Sequence, residues 1–210
     1  AGGGSDPDYA SVSFLGHFNG TDTSTTFVDN SSYAATVVVF GNMQLDTAQQ
    51  KFGSASVLGD GTGDYCTVPG GSQFNFGTGS FSVEFWVRFN ATTEKCIYDI
   101  SAGSMTFYIR PSDGLVTPGL IAAGGSTPFN TGQWYFMAVI KNGTAVTVYR
   151  DGSSYLSGTA GGSYGSAVNA LFIGATALGN NSVNGWIDDF RITKGVVRSS
   201  TVPTSQFPDN

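Results

Sequence analysis

The sequence predicts an all-β protein, and three observations carry that reading. The stretch FSVEFWVRF (81–89) alternates without a break, placing Phe81, Val83, Phe85, Val87 and Phe89 on one face of an extended chain. Further short runs rich in β-branched and aromatic residues are bounded by Gly, Asn, Asp, Ser or Pro. No stretch of comparable length places apolar residues at i, i+3, i+4 and i+7 between a cap and a stop.

Each element follows from the same pattern. CIYDIS (96–101) and MTFYIR (105–110) read as strands, as do WYFMAVIK (134–141) and AVTVYR (145–150). Asn142-Gly143 and Asp151-Gly152 supply the positive φ that type I′ turns need, so 134–141, 145–150 and SSYLSG (153–158) form a meander. GDGTGD (59–64) and AGGSYGS (160–166) read as loops. In WYFMAVI both faces are apolar, which predicts a strand covered on both sides. If it shares a sheet with 81–89, that sheet has a roof. Trp86, between Glu84 and Arg88, then belongs to a small second core with its indole N–H on a loop carbonyl.

At 210 residues and 40% hydrophobic, the chain can bury one substantial core. The 16 Phe, 9 Tyr and 3 Trp argue against disorder. Residues 9–210 are expected to form one domain, with the Gly-rich 1–8 as a flexible tether. Nine Lys and Arg against 15 Asp and Glu give −6 with no basic run, which excludes a phosphate-tracking nucleic-acid surface. No apolar stretch reaches the roughly 18 residues of a membrane span. Residues 1–30 lack a signal-peptide layout, and a start at Ala1 suggests processing or excision from a longer chain. Cys66 and Cys96 can form a bridge only if their strands lie side by side; two buried thiols are the alternative. Asn19, Asn30, Asn90, Asn142 and Asn180 begin N-x-[ST] triplets, common by chance in a chain this rich in Asn, Ser and Thr.

Eight phrases in order carry a resemblance: LGHFNG (15–20), TFVDNS (26–31), KFGSASVLGDGTGDY (51–65), FSVEFWVRF (81–89), GQWYFMAVIKNG (132–143), VYRDG (148–152), LFIG (171–174) and GWIDDFRITKGVVR (185–198). Together they resemble the laminin G-like domains of the concanavalin A-like lectin and glucanase superfamily, in particular those of bacteriophage structural and tail proteins. The resemblance implies a two-sheet antiparallel β-sandwich jelly roll, with its termini together and loops along one rim. Many short strands and Gly-rich turns agree with it.

The resemblance also implies a structural Ca²⁺ held by Asp188 with groups of the first loop, among them Asn19 and Asp22. Asn19 stands where the family more usually has Asp. In the strand GWIDDFRIT, simple alternation sends Asp188 inward with Phe190 and Ile192, and sends Asp189 to the other face. An Asp188 satisfied by backbone N–H groups is the competing reading. Trp86 is a candidate sugar platform as well as a packing residue. Tyr108, Arg110 and Asp113 form a polar and aromatic group near a turn, and Tyr155, Tyr164 and Trp186 are further aromatics that can reach a ligand. Lys194 and Arg198 read as solvated charge or as a docking point for a neighbouring subunit.

Catalysis is not expected. The only glutamates, Glu84 and Glu94, are ten residues apart, with none of the E-x-D-x-E pattern that superfamily glycosidases carry. His17, the one histidine, leaves no clustered His site for zinc; it reads as a packed, hydrogen-bonded side chain. The expectation is a non-catalytic lectin-like module on a phage particle or a bacterial surface assembly, hence on a virion surface or extracellular, whose partner is carbohydrate. The alternative is a structural virion component that binds other protein subunits, as a homo-oligomer or with different partners.

Overall fold

A computed structural model describes residues 5–100, 105–166 and 168–210. Fourteen strands form among them: β1 Val12–Gly16, β2 Val38–Phe40, β3 Gln44–Asp46, β4 Ser56–Asp60, β5 Tyr65–Val68, β6 Phe81–Phe89 and β7 Lys95–Ile100, then β8 Met105–Arg110, β9 Leu115–Thr117, β10 Trp134–Asn142, β11 Ala145–Arg150, β12 Ser153–Thr159, β13 Leu171–Ile173 and β14 Asn184–Lys194. The described helical residues are two single 3₁₀ turns, Tyr9–Ser11 and Ser72–Phe74. An eight-stranded sheet runs β12-β11-β10-β6-β14-β4-β3, with β1 also paired to β14; a six-stranded sheet runs β2-β5-β13-β7-β8-β9. Every ladder is antiparallel. The jelly-roll sandwich is as expected.

The main core fills the space between the sheets. The alternating set Phe81, Val83, Phe85, Val87 and Phe89 of β6 faces Tyr98, Ile100, Phe107 and Ile109 of the other sheet. Phe85 sits 5.6 Å from both Phe107 and Phe190 and 6.1 Å from Tyr98, centroid to centroid. Such offset and edge-on pairs add to simple burial.

A second core roofs the outer face of the eight-stranded sheet. Trp86, Phe136, Ala138 and Ile140 meet Val12 and Leu15 of β1 and Phe207 of the C-terminal segment, with Tyr9, Phe52, Trp134, Tyr149 and Val202 around them. This is why β10 is apolar on both faces. The termini are fastened to this roof: the Asp6 amide donates to the Asn210 carbonyl at 2.7 Å. Arg198 grips the Asp6 carboxylate through Nη1 and Nη2 at 2.7 and 2.9 Å, while Arg191 bridges Asp6 and the buried Glu84. Burial alone would raise the Asp6 pKa; its bonds from Arg198 and the Asp8 amide outweigh that and lower it. For Glu84 burial prevails over Arg191, and its pKa is raised.

Three expectations are corrected here, and the choice left open for the two cysteines is decided. Asp6 is buried and bonded, so residues 6–8 do not belong to the tether expected over 1–8; residues 1–4 lie outside the described residues. The β10–β11 hairpin pairs Asn142 with Ala145, so Gly143-Thr144 occupies the turn. Gly143 has φ +57° at the first central position, as a type II′ turn requires, whereas Asp151 and Gly152 (φ +49° and +81°) make the expected type I′ turn. Cys66 and Cys96 are both buried and free. Cys66 packs in the main core, whereas Cys96 pairs with outward-facing Tyr108, so the sheet itself stands between them. Arg198 is no solvated charge, since Asp6 engages it, and Lys194 Nζ donates to the Ser72 carbonyl at 2.8 Å.

Candidate functional site

The outer face of the six-stranded sheet bears a cleft of about 450 Å³. Its floor is Asp99 of β7 with Thr106 and Tyr108 of β8; its wall is the loop after β13, through Thr176, Ala177, Leu178, Asn180 and Asn181. Period two explains the floor. Asp99 and Thr106 are direct cross-strand partners, and Tyr108 lies two residues along β8, so all three share the face opposite the core.

The wall is held by its own backbone and by the floor. Gly179 N donates to Thr176 O at 2.8 Å, with Gly179 at φ +73°, and Leu178 N and Asn180 N donate to Thr176 Oγ1. The Asp99 carboxylate accepts from Thr106 Oγ1 and from Ala177 N, both at 2.9 Å. Asn181 O accepts from Cys96 N at 2.8 Å. Leu178 is 85% exposed at the lip. The Tyr108 phenol has a raised pKa, first from burial and then from the negative fields of Cys96, Asp99 and Glu94.

Hydroxyls, amides, one carboxylate and one aromatic ring therefore converge on a cavity within the usual range for small-ligand sites, about 300–1,000 Å³. No Lys or Arg is among the lining residues. Asp99 is the carboxylate among the lining residues described.

A row of rings runs beside the cleft on the same face. Phe40 of β2 stacks on Tyr65 of β5 at 4.6 Å and 9°, and Tyr65 lies 6.0 Å from Phe172 of β13. Phe172 is the cross-strand partner of Asp99, so the row ends at the cleft floor. Sequence reasoning missed these three rings. LFIG and GTGDY were read as family phrases and loop, and their alternation is too short to reveal an outer face.

The other expected ligand residues are dispersed. Tyr108 lines the cleft. Arg110 and Asp113 form an exposed pair at the end of β8, with Nη2–Oδ2 at 2.6 Å; the Arg110 hydrogen bonds lower the Asp113 pKa to about 2. Trp186 lies on the opposite sheet, where Nε1 donates to Asp46 Oδ2 at 2.6 Å and the Arg88 guanidinium sits 5.4 Å from its ring. Trp86 is 3% exposed and presents no face to solvent; its Nε1 has no hydrogen-bond partner among the described residues, so the expected loop carbonyl is not there. Lys51 Nζ stands 3.9 Å from its ring centroid. Tyr155 is a strut, its hydroxyl bonded to Gly114 O at 2.6 Å. Tyr164 packs against the main core.

The expected cation residues also have other duties. A bulge between Asp188 and Arg191, with Asp189 at φ +47°, breaks the alternation. Asp188 consequently pairs with Trp86 on the roofed outer face instead of pointing inward with Phe190 and Ile192. Asp189 is on the roof side too: Oδ1 meets His17 Nδ1 at 2.7 Å and Oδ2 accepts from Phe207 N at 2.8 Å. Asp188 Oδ2 accepts from Lys51 N and Phe52 N, Asn19 Oδ1 from Ser54 N, and Asp22 Oδ1 from Thr47 N. Asp188 Oδ1 is buried without a partner, and burial raises this carboxyl to about 8. Among the described residues no three His, Cys, Asp or Glu side chains gather as metal ligands. As arranged, one oxygen each of Asp188, Asn19 and Asp22 is engaged by backbone donors, and the second oxygen of Asp188 is not.

Comparison with known proteins agrees with the architecture. The fourth domain of AbnA, an extracellular GH43 arabinanase from Geobacillus stearothermophilus solved with arabinotriose, is similar at TM-score 0.67 and 19% identity, over 90% of this chain and 95% of that one. The ligand-binding domain of botulinum neurotoxin serotype D, solved with N-acetylneuraminic acid, is similar at 0.64 and 18% identity, over 91% and 49%. The binding domain of Paraclostridial Mosquitocidal Protein 1 is similar at 0.66 and 14% identity, over 90% and 50%, so this chain spans about half of each toxin domain. No curated protein sequence matches. A laminin G-like family model matches residues 60–202, and the chain belongs to the family it describes, the concanavalin A-like lectin/glucanases superfamily.

Proposed function

We propose that this protein is a non-catalytic carbohydrate-binding module whose sugar sits in the cleft between Tyr108 and the 176–181 loop. The observation that carries the reading is the composition of that cleft. Thr106, Thr176, Asn180 and Asn181 offer hydrogen bonds to hydroxyls while Tyr108 and Leu178 offer apolar surface to ring C–H groups. The arabinotriose and N-acetylneuraminic acid with which two of the similar domains were solved support a saccharide as the ligand class. A position outside the cell or on a virion surface suits such a module, the phage context resting on the sequence resemblance alone. A glycan array on the wild-type domain, repeated with Tyr108→Ala, tests the proposal. Selective binding that the substitution abolishes while the circular dichroism spectrum is unchanged supports it; binding that persists moves the site elsewhere.

One observation favours a second reading, a structural subunit-binding domain. Val28, Tyr33, Val38 and Phe40 are exposed large hydrophobics within one short segment that ends in edge strand β2. Concentration-dependent self-association in sedimentation, lost in Phe40→Ser, is the result that reading requires.

A further inference from the structure

We infer that the protein carries a second saccharide site, for a carboxylated sugar, on the opposite face of the sandwich, where Arg88 receives the carboxylate between Trp134 and Trp186. The ligand class rests on the carbohydrate reading; the place and the charge are additional to it. Two features carry the inference, an uncovered strip of sheet and an arginine without an anion.

The strip lies where the roof stops. Trp134, Arg88, Trp186, Leu58 and Gln44 form one cross-strand row over β10, β6, β14, β4 and β3. All five are partly exposed. The neighbouring row, Phe136, Trp86 and Asp188, is sealed at 0, 3 and 0% exposure. Four inter-strand gaps of about 4.8 Å make the open row about 19 Å long, with indoles at one end and a carboxamide at the other. Indoles take the C–H surface of a pyranose, and a carboxamide takes its hydroxyls. The bond from Trp186 Nε1 to Asp46 Oδ2 fixes that ring by its edge.

The charge is that of Arg88. Of the five arginines in the sequence, Arg110, Arg150, Arg191 and Arg198 face carboxylates at 2.6, 3.9, 3.3 and 2.7 Å. Among the described residues Arg88 has no such partner. Its Nη1 donates to the Gly132 carbonyl, its Nε is buried without an acceptor, and no described group accepts from Nη2. The side of Nη2 is open: a Cβ built on Gly132 would meet that atom alone, at 3.7 Å. A guanidinium suits a carboxylate in shape and charge, and flanking rings strengthen the pairing by displacing water. Lys51 Nζ, over the Trp86 ring, adds a second cation on the same face. Asp46 and Asp60 border the strip on β3 and β4, and both oxygens of each already accept: from Trp186 Nε1 and Ala48 N, and from Asn42 Nδ2 and Thr62 N. The acidic unit therefore belongs at the Trp134–Arg88 end, with a neutral unit over Leu58 and Gln44.

The test uses the whole chain and titrates glucuronic, galacturonic and N-acetylneuraminic acids by calorimetry beside their methyl esters, which keep the ring and lose the charge. At least one acid should bind about tenfold more tightly than its ester at low salt, and the gap should close as salt is raised. Arg88→Gln should abolish the gap. Trp186→Leu should weaken the acid about fivefold, and Tyr108→Ala, in the cleft on the other sheet, should leave it unchanged. Circular dichroism checks the fold of each variant; if Arg88→Gln does not fold, Arg88→Lys, which keeps the charge and loses the fork, should narrow the gap. Acetate should compete at least about tenfold less well than the acid sugar, because it meets no ring. Acids that bind no better than their esters, a gap that survives Arg88→Gln or disappears in Tyr108→Ala, or acetate that competes equally would overturn the inference and leave the carbohydrate reading standing. Silence with the acids and with every neutral glycan would remove both.

Discussion

The roof over the eight-stranded sheet can be weighed through Phe207→Ala. Phe207 is 4% exposed; its amide donates to Asp189 Oδ2 and its ring lies 3.8 Å from the Arg191 guanidinium. Truncating a buried Phe costs about 3–5 kcal/mol, and the lost cation–π contact about 0.5–2. The site is at the edge of the second core, where the chain end can partly close the gap, so about 3 kcal/mol is the working figure. For a domain of this size 1 kcal/mol moves the melting temperature by roughly 2–4 °C, giving a fall of about 6–12 °C. Differential scanning calorimetry reads the shift, and a urea melt checks that the m-value is kept. The main core is untouched, so oligosaccharide binding on the far sheet should persist at lower temperature. A variant that melts within 2 °C of wild type would mean that the C-terminal segment only rests on the sheet, and the second core would not be a stability element.

Four further outcomes follow from the geometry. Arg191→Ala strands buried Glu84 beside Asp6 and should cost about 3–5 kcal/mol in urea, whereas Arg191→Met with Glu84→Gln should recover most of it. Asp188 has a folded pKa of about 8 against 3.8 for the unfolded group, so the folded state holds the extra proton and stability falls between about pH 4 and 8. Asp188→Asn should flatten that slope in melts taken at pH 5, 7 and 9, although Glu84, raised in the same direction, leaves part of it. Gly114→Ala should lower the melting temperature sharply, because φ is +78° and the new Cβ would lie 2.1 Å from the Thr127 carbonyl oxygen. Calcium and chelator should give melting temperatures within 1 °C of each other, since Asp188, Asn19 and Asp22 are engaged by backbone amides; a larger rise with calcium would restore the cation reading.

The strands that alternate over six residues or more were legible in the sequence because burial enforces period two: β6, β8, β10 and β11 lie where the pattern puts them. So was the roof, through the double apolarity of β10. What escaped were features set by a single residue of register. The bulge at Asp188–Arg191 turns two carboxylates towards the roof, and alternation alone assigns them to opposite faces. The hairpin at Gly143 shifts by one position because Gly at the first central residue is as good a turn as Asn-Gly. Of the candidate site, Tyr108 was visible and its companions were not. Asp99 reads as a strand residue, and nothing in the sequence pattern singles out Thr176 to Asn181, which β13 carries over the floor. Trp86 and Trp186 attract attention by residue type, but their surroundings decide the matter: one is sealed under Phe52 and Lys51, and the other is bonded to Asp46.

The meeting of Asp6 with Asn210 has a consequence for how the module can be mounted. Asp6 and Asn210 meet on the roofed side of the sandwich, and the cleft opens on the opposite one. A partner joined next to Asp6 or Asn210 would start behind the sandwich, on the side away from the cleft. Asp6 and Asn210 also lie one hydrogen bond apart, so a domain trimmed to them could be spliced into a loop of a host protein like a lamp fitted to a bracket. Its light would fall away from the wall.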